Sequence, residues 1–245
     1  MAVVDLSLKA IFQHRFRAGS SPNDSWEATV EGNGSIQNGG TSAARFDYLC
    51  NNDGGGAFTE DRIYLSFDMT GIPADATISA VSLLLYTDDL FQNITDSDYM
   101  KSRIVKSTVD ATAPNGATTG NAHDVSVNNG SDVTVSQTDD AENEFDFGSS
   151  NLYDYVVAQH AAGGVAAFYH MSKLVFDELV AGDGSATDPS GQNRNNFDGD
   201  TGTNPPKLRV TFTVPDKVYT EFKILGGTTK VLSGNIKINK NWFLI

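Results

Sequence analysis

The chain has 245 residues, 39% of them hydrophobic, with 23 Gly, 7 Pro and a formal net charge of −14. This length and composition suit one folded all-β domain rich in turns, with room for a small extra element. The acidic balance excludes a nucleic-acid binder, because phosphate binding rests on a Lys/Arg surplus, and it fits solubility through self-repulsion.

Taken in order, Leu6, Leu8, Ala10 and Phe12 alternate with other residues and predict a first strand over 4–16. Residues 20–24 read as a loop, and 25–31 as a short strand with Trp26, Ala28 and Val30 on one face. Asn33-Gly34 and Asn38-Gly39 are turn dipeptides. A strand over 43–50 and a flexible loop over 51–56 lead into the stretch that organises the chain, 61–88. There Ile63, Leu65, Phe67 and Met69 alternate with Arg62, Tyr64, Ser66 and Asp68, which predicts one buried face and one wet face. Gly71, Pro73 and Asp75 turn the chain, and 77–87, with Val81 and Leu83 to Tyr86, reads as a well-buried strand. The pair predicts the core of a β-sandwich.

Residues 88–98 read as an acidic loop, 99–108 as a strand and 111–121 as a long loop. Val125/Val127 and Val133/Val135 flank Asn129-Gly130 and predict a hairpin, and 139–144 a charged turn. One helix is predicted, opened by Ser149 and Ser150, with Leu152, Tyr155, Val156 and Gln159 at helical spacing and Gly163-Gly164 ending it. Residues 165–176 read as a buried strand and 181–206 as a polar loop. Residues 207–214 alternate again, with Leu208, Val210, Phe212 and Val214 inward.

Pro215 marks a shift in composition and divides a 1–215 β-sandwich from a 216–245 β-rich extension. This extension carries five Lys against Asp216 and Glu221, a net of +3 within the total of −14, leaving −17 on the other residues. It holds short strand-like pieces and finishes on Trp242, Phe243, Leu244 and Ile245, an apolar run poorly solvated if left free. It packs back on its own domain or serves as an assembly arm. In the second reading Lys237, Lys240, Trp242, Phe243, Leu244 and Ile245 bind the partner.

Candidate chemistry is sparse. His14, His123, His160 and His170 lack metal-ligand spacing, and neither a nucleophile elbow nor a P-loop is present. Asp198-Gly199-Asp200 is the best local candidate for a structural calcium ion, because hard cations take oxygen ligands and Gly permits a sharp turn. No other cofactor is expected. Tyr64, Tyr86, Tyr99, Tyr153 and Tyr169 are the aromatics a carbohydrate platform would draw on. The single cysteine, Cys50, reads as a small apolar residue, and no internal disulfide can form. The first sixteen residues lack the order of a signal peptide, no transmembrane run occurs, and the sequons at Asn23, Asn33, Asn93 and Asn129 read as chance.

A resemblance rests on three separated patterns. Residues 62–68 (RIYLSFD), 72–80 (IPADATISA) and 83–86 (LLLY) form the first, 152–164 the second, and 204–211 (NPPKLRVT) the third. Together they resemble the disaggregatase-related (DNRLRE-type) jelly-roll domains over about residues 5–214. The family often carries an acidic or Ser-Arg-Glu cluster before the Pro-Pro strand. Here 193–200 lacks the Arg-Glu pair, so a role tied to that cluster does not carry over. The resemblance implies an antiparallel two-sheet jelly-roll β-sandwich, similar to carbohydrate-binding modules and usually not catalytic. Such domains occur on secreted polysaccharide-degrading enzymes and in bacteriophage virion proteins. The leading expectation is therefore a non-enzymatic structural protein of a virion (a head-decoration, neck or tail component), made in the host cytoplasm. Its partners would be other virion proteins or copies of itself in a homo-oligomer. The alternative is a carbohydrate-binding or adhesion module, and behind it a polysaccharide-cleaving enzyme with convergent carboxylates.

Overall fold

The computed structural model describes residues 1–16, 25–32, 35–40, 45–52, 58–92, 101–109, 122–135, 140–182, 189 and 192–215. Side chains are described at all of these except 14–16, 35–40, 45–52, 89–92 and 192–195. In chain order the elements are β1 (Ala2–Phe16), α1 (Trp26–Val30), β2 (Ser35–Gly40), β3 (Arg45–Asn52), β4 (Phe58–Asp68), β5 (Thr77–Gln92), β6 (Lys101–Ser107), β7 (His123–Asn128), β8 (Val133–Thr134), β9 (Ala141–Asp146), α2 (Asn151–Ala161), β10 (Val165–Ser172), α3 (Lys173–Ala181), β11 (Gln192–Asp198) and β12 (Lys207–Thr213). A 3-10 turn over Met69–Gly71 ends β4, and the Asp68 carboxylate caps it by accepting from Thr70 N at 2.9 Å.

The described strands form one 12-stranded antiparallel sheet that curls on itself. The curl comes from long strands that change neighbours along their length. β1 bonds to β12 through 2–7 and to β4 through 8–16. β5 bonds to β12 through 77–84 and to β11 through 87–92. β4 meets β3 at 58–61 and β10 at 63–68. The ladder path β1–β12–β5–β11–β3–β4 returns to β1, and β10, β6, β7 and β8 extend it beyond β4.

Inside the curl lies the larger core, with Leu65, Phe67, Val81, Leu83, Phe145, Phe168, Phe197, Leu208 and Val210 all at 1% exposure or less. The second core lies on the opposite face of β4, β10 and β6, where α1 and α3 cover Tyr64, Val105, Ala167, Tyr169 and Met171. In β1 the register shifts between Leu8 and Ala10. Val4, Leu6, Leu8 and Ile11 therefore pack on the first core, whereas Ala10 and Phe12 pack on the second. A bulge reverses which face successive residues take.

Several expectations need correction. Arg62, Tyr64 and Ser66 do not face water; all three are at 0% exposure, because a helical layer closes the face that alternation alone assigned to solvent. Three short helices are present among the described residues rather than one. Residues 26–30 are helical, with Trp26, Thr29 and Val30 turned inward at helical spacing and the Ser25 hydroxyl capping Ala28 N. The strand expected over 165–176 stops at Ser172, which caps Val175 N and starts α3; Gly182, at φ 61°, ends it. The left-handed conformation at that position suits a residue without a side chain. The helix expected after Ser149/Ser150 is α2, bounded as the spacing indicates.

The expected acidic loop is strand as far as Gln92, the charged turn is mostly β9, and the polar loop over 181–206 contains β11. Asn38-Gly39 lies within β2 rather than forming a turn. The segments around Asn129-Gly130 do not pair with each other. β7 and β8 both bond to β6, as one strand interrupted by the turn. Val214 is 43% exposed beyond the end of β12, not inward. The 216–245 extension lies outside the described residues.

Candidate functional site

Charged groups appear in the second core, where α1 meets the sheet. Glu60 and Arg62 are two residues apart on β4, so they share a face, and both are fully buried. They form an ion pair. The Arg62 guanidinium also donates from Nη2 to the carbonyl of Val30, at the end of α1, at 2.6 Å. Its Nη1 lies 3.3 Å from Nδ1 of His123, which must accept since a guanidinium only donates. Burial and the neighbouring cation hold His123 well below the ordinary histidine range, so the ring is neutral, with its proton on Nε2. Burial raises Glu60 to about 7, against the pull of Arg62. The Tyr169 phenol, buried beside His123, is pushed up. Carboxyl, imidazole and phenol together are groups suited to proton transfer. Here they are turned to packing: Glu60, Arg62 and Tyr169 are at 1% exposure or less, and the guanidinium ties α1 to the sheet.

On the opposite face His170 sits between the rings of Phe145 and Phe197, at 5.2 and 5.1 Å, with Nε2 2.9 Å from Ser102 Oγ. Burial pushes this histidine down to about 3. A Ser–His contact can activate a nucleophile. Ser102 and His170, however, are both at 0% exposure, closed off from any substrate. His160 fastens α2 to the turn after β4 through Nε2 and the Pro73 carbonyl at 2.9 Å.

The calcium candidates lie at the end of β11, where Asp198 is the last strand residue and Asp200 follows it. Asp198 is buried, and its Oδ2 accepts from Asn204 N at 2.7 Å, so the carboxylate organises its own loop. Gly202 lies so close that an added Cβ would come within 2.7 Å of Asp198 Cγ. Asp200 is half-buried, with Oδ1 inside and lacking a hydrogen-bond partner. Among the described residues no three His, Cys, Asp or Glu side chains gather where they could hold a metal ion.

Of the tyrosines considered for a carbohydrate platform, Tyr64 and Tyr169 are core residues stacked edge-on at 5.4 Å. Tyr153 is half-buried and donates to the Ile78 carbonyl at 2.9 Å. Tyr86 is half-buried, its phenol pushed up by burial and then by Asp140, Asp198, Asp88 and Glu142. Tyr99 lies outside the described residues, as do the sequons at Asn23, Asn33 and Asn93. Asn129 is only 4% exposed, so its amide is not offered for glycosylation. Cys50 lies in β3, and its side chain is not among those described.

A row of exposed carboxylates lies on β9, which has β5 as its one ladder neighbour among the described residues. Asn143 and Phe145 turn inward, and Glu142, Glu144 and Asp146 are exposed. The alternation Glu-Asn-Glu-Phe-Asp was the available signal, and its charge made it read as a turn. The charged pair Glu60–Arg62 was missed for the opposite reason, since charge on alternate residues reads as a wet face. Lys237, Lys240, Trp242, Phe243, Leu244 and Ile245 lie outside the described residues, so no geometry joins them to β9. No described helix is long and apolar enough to cross a membrane. The chain matches no model of a known protein family, and comparison with curated proteins gives no match.

Proposed function

We propose that this chain is a non-catalytic structural protein of a virion, a jelly-roll β-sandwich that works through protein–protein contacts made by residues 216–245. The observation that carries the reading is the contrast in charge and polarity along the chain. A body of −17 is followed by a segment of +3 with an apolar run, Trp242 to Ile245. A soluble, self-repelling body with a basic, apolar extension has the chemistry of a subunit tethered to neighbours by an arm. The body supports the jelly-roll reading to the extent that its antiparallel sheet curls around one apolar core. The virion setting rests on the resemblance of residues 5–214 to disaggregatase-related domains.

The buried positions of Glu60, Arg62, His170 and Ser102 favour a role carried by surfaces over one carried by reactive groups. A carbohydrate-binding role loses Tyr64 and Tyr169 as platform residues, since both lie in the core. Sizing the full chain and a 1–215 truncation by light scattering over a range of concentrations tests the proposal. Association of the full chain, lost on truncation, is expected. A full chain as monomeric as the truncation would overturn it.

A further inference from the structure

The edge of β9 turned away from β5, unpaired among the described residues, offers a surface for the arm, and this inference rests on the assembly reading above. A strand at a sheet edge has backbone donors and acceptors directed away from its one neighbour, a template for another strand. β9 pairs with β5 over 82–87 and has no second ladder neighbour among the described residues. Its side chains set what an added strand would need: apolar residues inward beside Phe145, and cationic or polar residues outward beside Glu142, Glu144 and Asp146. The outward row alone is a common device for keeping edges apart. The same chain, however, also carries a segment with the complementary period. In Asn235-Ile236-Lys237-Ile238-Asn239, the two isoleucines alternate with Asn, Lys and Asn.

We propose that residues 234–240 of one copy add antiparallel to the edge of β9 in a second copy, with Ile236 beside Phe145 and Lys237 beside Glu144. This register sets Ile238 beside Asn143, and Asn239 and Asn235 beside Glu142 and Asp146. No like charges then oppose each other across the new ladder. From Pro215 to Lys237 the chain can span up to about 70 Å when extended. A domain of this size has a radius of gyration of about 17 Å, so the arm is long enough to leave its own body. The charge match also gives it a reason to, because acidic bodies repel one another and a basic strand between them relieves that repulsion.

Charge exchange tests the pairing in the full chain. Glu144→Lys and Lys237→Glu should each weaken self-association about tenfold by sedimentation velocity, and the double variant should recover most of the loss. Unchanged circular dichroism and melting temperature would show that β9 remains folded. Single variants without effect, or a double variant without recovery, would overturn the pairing. If truncation at 215 still abolished association, the arm reading would survive that loss. A full chain that never associates would remove both. A Glu144→Cys/Lys237→Cys pair, in a Cys50→Ser background, should give disulfide-linked dimers on oxidation. A disulfide formed within single chains would instead assign the edge to the chain's own extension and overturn the second-copy proposal.

Discussion

The face of β4 that carries Ile63, Leu65 and Phe67 is closed by other strands of the same curled sheet and by α2, whose Leu152 and Val156 join that core. The face that carries Glu60, Arg62, Tyr64 and Ser66 is closed by two short helices. The two closures differ in kind. On the first face Phe168 packs against Phe67 of β4, Phe147 just after β9 and Tyr155 of α2, with ring centroids 5.6 to 6.1 Å apart. Helices of five and nine residues bury less surface and leave backbone groups at their ends to be satisfied. A charged side chain that reaches one of those carbonyls, as Arg62 reaches Val30, belongs in such a layer. A buried ion pair can thus act as a tie between layers, provided both partners stay.

The largest expected effect breaks that tie. Arg62→Ala leaves Glu60 buried without its cation and should cost about 3–5 kcal/mol in urea unfolding. Replacing both together, Glu60→Leu with Arg62→Met, should cost less than either single change; equal or greater loss would show that the pair does more than satisfy itself. On the other face, Phe168→Ala should also cost about 3–5 kcal/mol, through a cavity rather than an orphaned charge. Amide exchange separates the two. Arg62→Ala should raise exchange in α1 and α3 ahead of the strands, whereas Phe168→Ala should lower protection throughout the sheet.

Acid acts on both faces, since each holds a neutral histidine. Both His123 and His170 have lowered folded-state values, so the unfolded chain takes up their protons first, and stability falls as pH drops below about 6.5. Glu60 acts in the opposite direction. Raised to about 7, it holds its proton more tightly when folded, and stability rises as pH falls from there towards 4.5. Two histidines against one carboxyl leave a net loss of about 1.4 kcal/mol per pH unit between 6.5 and 4.5, steeper below. Denaturant midpoints across this range measure the slope. Glu60→Gln should steepen it and His170→Gln should flatten it.

The smallest effect concerns the helix starts. Ser172→Ala removes the hydroxyl that accepts from Val175 N at 3.0 Å and should cost about 1 kcal/mol. Ser25→Ala should do the same at Ala28 N, with its effect confined to exchange around α1. A global loss from Ser25→Ala would mean that α1 folds with the sheet rather than over it.

Much of the fold was legible where a period ran long enough. β1, β5 and β12 followed from alternation or an unbroken apolar run, and α2 from its spacing and Gly163-Gly164; Ser150 takes the position before α2, but its hydroxyl makes no capping hydrogen bond. In short segments the signal was ambiguous. Trp26, Ala28 and Val30 fit a strand, Trp26, Thr29 and Val30 fit a helix, and five residues do not separate the two. β11, with Gln192, Asn193, Arg194, Asn195 and Asn196, has poor strand propensity. It is a strand because it fills the slot between β5 and β3, where its backbone groups find partners on both sides.

By itself the sequence determined a turn-rich, mainly β chain, and which residues of β4 and β12 face the main core, because apolar periodicity is local; in β1 the bulge after Leu8 sends Ala10 and Phe12 to the second core instead. Tertiary structure decided what lies on the other side of β4. Whether Arg62 meets water or the end of a helix depends on segments far along the chain, and on whether a buried cation finds partners there. That choice rests on contact and desolvation, which no local pattern records.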